Sequence, residues 1–137
     1  MATVVRAEIS QKNKYWIDKH RHYELKHFCL QYPSWKKTYS GISEITIGNN
    51  AMKIQSSTIS DPTCNTAMKR LLYKNRIDMV EQAAREADPV LYEYILKGVT
   101  EGLSFTYLQT KLRIPCGRDM YYDRYRKFFW ILSGMRD

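Results

Sequence analysis

A chain of 137 residues, 44% of them hydrophobic, has the size of one domain and can bury a core without disulfide or metal staples. Cys29, Cys64 and Cys116 are odd in number and lack Cys-x-x-Cys spacing, which speaks against a disulfide framework and a zinc site. The absence of an apolar run of about 18 residues or a leader-like start predicts a cytoplasmic protein with no membrane partner. The 22 Lys and Arg residues against 14 Asp and Glu leave a charge of +8, and such an excess favours a polyanionic partner bound by counterion release.

The charge is uneven: residues 1–39 hold 8 basic and 3 acidic groups, 40–104 hold 7 and 8, and 105–137 hold 7 and 3. In chain order, the first element is a helix expected from about Lys12 to Gln31, with Ile17, Leu25, Phe28 and Tyr32 near one face. Pro33 is expected to end it, with at most a further turn over Ser34 to Tyr39. The stretch "SGISEITIGNNAMKIQSSTIS" has no sustained period and reads as a polar linker. The conformation around Gly48-Asn49-Asn50 stays open between a hairpin and disorder.

Asp61-Pro62 then marks a helix start, the aspartate as cap and the proline in the first turn. The helix should run to about Glu86, burying Met68, Leu71, Leu72, Met79, Val80, Ala83 and Ala84 and turning Lys69, Arg70, Lys74 and Arg76 outward. Asp88-Pro89 repeats the signal for a shorter helix that buries Leu91, Tyr94 and Ile95, with Gly98 and Gly102 at its end. Ser104 caps "FTYLQTKL", Pro115 stops it, and Gly117 frees the backbone for a helix from Arg118. Tyr121, Tyr125, Phe128, Phe129 and Leu132 recur on its inner face, and Arg118, Asp119, Tyr122, Asp123 and Arg126 fall on another.

These elements predict an all-α fold in three parts. Residues 1–39 form an N-terminal basic helical element, 40–60 a polar linker, and 61–137 a helical DNA-binding domain with a helix-turn-helix at about 104–132. A short helix, a turn of about four residues and a longer basic helix would set the second helix in the major groove. The candidate DNA-binding residues are Arg118, Asp119, Tyr122, Asp123, Arg126 and Lys127 on that helix, with Lys111 and Arg113 flanking it as phosphate contacts. The alternative for the same periodicity is a plain helical hairpin with a solvated polar face.

The order of "YELKHFCLQYPSWKKTY", a polar linker, "RLLYKNRIDMVEQAA" and "VTEGLSFTYLQTKLRIPCGRDMYYDRYRKFFWIL" resembles the phage-encoded RinA and ArpU type transcriptional regulators over nearly the whole chain. Glu24-Leu25 and Tyr32-Pro33 match that family's "Glu-Leu, Tyr-Pro" element. The C-terminal part is similar to the sigma-factor region that binds the upstream promoter element. The resemblance implies a recognition helix at Arg118 to Lys127 braced by Ser104 to Leu112, double-stranded DNA as partner, and RNA polymerase and a second subunit as further partners. Two departures stand out: the turn carries Pro-Cys-Gly where sigma-like modules place Ser or Thr, and Asp119 and Asp123 dilute the positive face.

Other constellations point elsewhere with less support. His20, His22, His27 and Cys29 lie within ten residues, yet no pair has the i, i+4 spacing that brings two ligands onto one metal. Trp16, Tyr23 and His27 read as a packing or oligomer face rather than a base-stacking platform. Cys116 sits at a helix start, where a thiolate is favoured, but has no histidine near it in sequence. No phosphate loop, deaminase motif or nuclease carboxylate cluster is present, so no enzyme, cofactor or metal is expected. Two further functions fit the pattern: a small terminase subunit on a DNA packaging site, or a phage-encoded inhibitor that binds a host nuclease or polymerase.

Overall fold

The computed structural model describes residues 12–48 and 60–136, with side chains over 12–41 and 65–136. The fold is all-helical: α1 Lys19–Leu30, α2 Tyr32–Gly48, α3 Ser60–Ala87, α4 Tyr92–Glu101, α5 Phe105–Thr110 and α6 Arg118–Arg136. The chain parts into two compact units. One joins the segment ending at Gln31 to everything from Met79 onward, and the other is Tyr32–Asp78.

In the first unit α1, α4 and α6 pack on one another, and α5 packs on α4. Its core takes Leu25, Phe28 and Cys29 from α1, Val80, Ala83 and Ala84 from the end of α3, Leu91, Ile95 and Val99 around α4, and Phe105 and Leu108 from α5. From α6 it takes Tyr121, Phe128, Phe129 and Leu132, the inner face expected from spacings of three and four. The rings of Phe128 and Phe129 meet edge-on at 5.0 Å, as do those of Tyr125 and Phe129 at 4.9 Å, a geometry that aligns ring edges with π faces.

Two local devices shape the first unit's entry. The expected helix from Lys12 begins only at Lys19, because Asn13 and Asp18 offer the backbone other partners. The Asn13 side chain accepts from the Tyr15 amide at 2.8 Å and the Asp18 carboxylate accepts from the His20 amide at 3.0 Å. Trp16 therefore lies outside α1 and the expected Trp16, Tyr23, His27 stripe does not form; Tyr15 instead meets Trp130 with the rings tilted by 58° and 5.6 Å apart. Near its start α1 is tied to the end of α6 by Arg21, whose guanidinium donates to the Ser133 hydroxyl and carbonyl and to Glu24.

The second unit corrects the linker boundary. Pro33 sits in the first turn of α2, where its missing amide costs nothing, so the chain passes from α1 into a new helix instead of an irregular stretch. Ser and Thr are weak helix formers but not breakers, and α2 carries through to Gly48. Asn49, Asn50 and the side chains of the expected Asp61-Pro62 cap lie outside the described residues. Arg76 lies over the Trp35 ring at 5.8 Å and Arg70 over Tyr39 at 5.2 Å, cation–π contacts that join α2 to α3 within this unit. The buried stripe of α3 is half as long as expected: Val80, Ala83 and Ala84 are inside, but Met68, Leu71 and Leu72 are exposed.

Candidate nucleic-acid interface

The α3–α4 corner positions the start of α6. Burial raises the Asp88 carboxyl's pKa, but hydrogen bonds from the Leu91 amide, Arg124 and the Val90 amide outweigh it and hold the group below its usual range. The Arg124 Nε–H donates to Asp88 at 3.0 Å, and the same guanidinium pairs with Asp123. One arginine thus fastens the first turns of α6 to the loop that opens α4. Arg124 escaped sequence reasoning, although the Asp-Pro signal marked the partner it binds.

The α4–α5 connection is set by Gly102, whose φ of +68° closes α4 in the left-handed region, and by the Leu103 amide, which bonds back to the Gly98 carbonyl at 3.1 Å, a Schellman-type ending. Ser104 then caps α5 as expected, its hydroxyl accepting from the Tyr107 amide at 3.2 Å. The turn after α5 is longer than the four residues expected. Helix α5 ends at Thr110, and residues 111–117 separate it from α6. Within them Arg113 adopts a φ of +55°, Ile114 is buried, and its amide donates to the Leu108 carbonyl at 3.0 Å. Pro115 disfavours helix at Ile114, and the left-handed residue before it completes the reversal.

The expected site residues divide into three groups. Lys111, Arg113 and Arg118 are exposed, at the corner formed by the end of α5, the loop and the start of α6; Arg118 stacks over Phe105 at 5.6 Å. Asp119 is exposed and Asp123 and Lys127 half-buried on the outer side of α6, beside exposed Met120 and Trp130. Tyr122 is a correction: it is buried, meeting Tyr121 edge-on at 5.1 Å and Phe105 at 6.5 Å. At 100° per residue Tyr122 stands only 60° from Tyr125, so the wide aromatic face captures it. Arg126 is half-buried, with its Nε enclosed and without a hydrogen-bond partner.

The remaining candidates separate in space as well. His22 and Cys29 are buried while His20 and His27 are exposed. Burial and the Asp88 carboxylate push the Cys116 thiol up, outweighing Arg124, so the thiol is held protonated rather than as the thiolate a nucleophile needs. Among the described residues no helix is long and apolar enough to cross a membrane.

No family model matches the chain, and no curated protein or solved structure is significantly similar to it. A functional reading rests on the geometry above.

Proposed function

We propose that the protein binds double-stranded DNA through the α5–α6 corner, as a phage or prophage regulator acting at promoters. The observation that carries the reading is the exposure of Lys111, Arg113 and Arg118 where α5 hands over to a 19-residue helix. Cations there lie beside the positive end of the α6 dipole, an arrangement suited to phosphate. Helix α6 would enter the major groove by its first turns, with Arg118 nearest the bases and Lys111 and Arg113 on the backbone. Tyr122 has no part in it, and Arg126 contributes through its guanidinium tip.

A second copy would supply the other half-site. Met68, Leu71 and Leu72 support pairing, since they stand at i, i+3 and i+4 on one exposed stripe of α3. A DNA-packaging ring uses the same parts, and a particle of many copies in solution would favour that reading over a regulator. The outer side of α6 favours a different partner: Asp119, Asp123, Met120 and Trp130 present carboxylates and apolar surface, which suits a protein better than a phosphate backbone.

The test is duplex binding by fluorescence anisotropy against salt. Binding should weaken with a log–log slope of about 0.9 per phosphate contact, and a Lys111→Ala, Arg113→Ala, Arg118→Ala variant should lose about three such contacts. Absence of duplex binding at low salt would overturn the DNA reading in favour of the protein partner.

A further inference from the structure

The boundary between the two units redraws the charge map of the chain. Residues 40–104 are balanced as a stretch of sequence, but the second unit ends within them, at Asp78. The five acidic residues from Glu81 to Glu101, set against Arg85 and Lys97 alone, belong to the first unit. The second unit, Tyr32–Asp78, therefore holds seven Lys and Arg residues against three Asp and Glu, half the net charge of +8 on about a third of the chain.

The cations of this unit are held by rings more than by carboxylates. Arg76 lies over the Trp35 ring at 5.8 Å and the Tyr73 ring at 5.9 Å, and Lys36 lies over Tyr32 at 5.6 Å. A ring face holds a cation without neutralising it, so the charge and its N–H donors stay available to an anion. Lys74 pairs with Asp78, but among the described residues no carboxylate meets Lys36, Lys37, Lys69 or Arg76, and the three lysines are exposed. In the first unit, by contrast, Arg21, Lys97, Arg124 and Arg136 all meet carboxylates.

A lipid surface, a single strand and a duplex are all polyanions, and the geometry separates them. A membrane would take the exposed stripe Met68, Leu71 and Leu72. Arg70, which meets Tyr39 of α2, stands about 160° round α3 from Met68 at 100° per residue, so α2, with Lys36 and Lys37, packs on the side away from that stripe. A single strand is gripped by rings on which bases stack, but Tyr32 and Trp35 are buried, and Tyr39 and Tyr73 are half-buried with arginines over them. What the unit offers is unneutralised charge spread over two helices, which suits the dense phosphates of a duplex. We propose that the second unit is a separate, sequence-independent contact surface for the backbone of double-stranded DNA, with Lys36, Lys37, Lys69 and Arg76 as its phosphate ligands. It shares no residue with the α5–α6 corner and holds whether or not that corner reads bases.

The test is fluorescence anisotropy of the full chain on short DNA duplexes of unrelated sequence, titrated against salt. A Lys36→Gln, Lys37→Gln, Lys69→Gln variant should flatten the log–log slope by about 0.9 for each lysine, equally on every duplex. Lys97→Gln removes a charge from an exposed position of the first unit and should leave the slope unchanged, which separates this surface from net charge alone. A triple glutamine variant with the wild-type slope would overturn the proposal; if the Lys111→Ala, Arg113→Ala, Arg118→Ala variant still flattens it, the corner reading survives. The reverse pattern supports this surface and removes the corner. Absence of duplex binding at low salt overturns both. Binding to phosphatidylserine vesicles that the three glutamines abolish, with duplex binding intact, assigns the surface to lipid and overturns the proposal too. Should the triple variant fail to fold, Lys37→Gln, at an exposed position, should flatten the slope by about 0.9 and decides alone.

Discussion

At the residue scale, His22 and Asp88 are ionisable groups folded into low-exposure positions, and they answer to pH in the same direction for different reasons. Burial, assisted by the nearby Lys26, lowers the His22 pKa from 6.5 to about 4. The unfolded chain therefore takes up a proton near pH 6.5 that the folded chain refuses until about pH 4, so stability present above 6.5 is lost as pH falls through that window. The loss is on the order of 3 to 4 kcal/mol at about 1.4 kcal/mol per pKa unit. His22→Phe should flatten denaturant midpoints across the window, and a midpoint that still falls as steeply would place the titrating group elsewhere. Asp88 acts lower on the scale. Its folded pKa is depressed, so its contribution is present above the ordinary aspartate range and disappears as pH falls below it. At neutral pH Asp88→Ala deprives the Val90 and Leu91 amides and the Arg124 guanidinium of their acceptor. A loss of about 1 to 3 kcal/mol is expected in thermal or urea unfolding. Asp88→Asn should fall between the two, because it keeps an acceptor but no charge.

At the element scale, the α5–α6 corner shows what sequence carries and what it does not. Ser104 as cap, Pro115 as stop and the inner face Tyr121, Phe128, Phe129 and Leu132 were legible because each arises from local chemistry or from helical period. The length of the turn was not, because it depends on Arg113 entering the left-handed region, which an arginine does only when surrounding structure demands it. Tyr122 was misplaced because periodicity gives an angle but not the width of the buried arc, which three neighbouring aromatics set here. The same limit applies to α3, whose apolar period continues past the point where burial ends. Helix α2 was hidden for another reason: weak propensity in a Ser- and Thr-rich stretch is overridden by tertiary anchors such as Trp35. Arg113 yields a prediction that separates fold from function. Arg113→Gly relieves the left-handed strain and should stabilise the protein by up to about 1 kcal/mol, while removing a proposed phosphate contact. Unfolding midpoint and duplex affinity should move in opposite directions; a rise in both would remove Arg113 from the interface.

At the scale of the whole molecule, a net charge of +8 acts oppositely on the two associations proposed for it. Duplex binding draws on released counterions and weakens as salt rises. Pairing through Met68, Leu71 and Leu72, which are 68%, 59% and 46% exposed, is driven by apolar burial that salt does not screen. It is opposed by repulsion between like-charged copies, which salt does screen. The Debye length shrinks from about 30 Å at 0.01 M to about 3 Å at 1 M, so that repulsion largely vanishes over a range in which apolar burial is preserved. Self-association should therefore rise with salt while DNA affinity falls, a crossing that neither a purely electrostatic aggregate nor a non-binding protein would give. Sedimentation equilibrium at the two ends of that range tests it, with the expected mass larger at high salt. Leu71→Glu places a carboxylate in the middle of the stripe and should leave the protein monomeric at both ends without lowering its thermal midpoint, because residue 71 is already exposed. A wild-type monomer at both salts removes pairing through α3. A Leu71→Glu protein that associates as well as wild type moves the contact to another face.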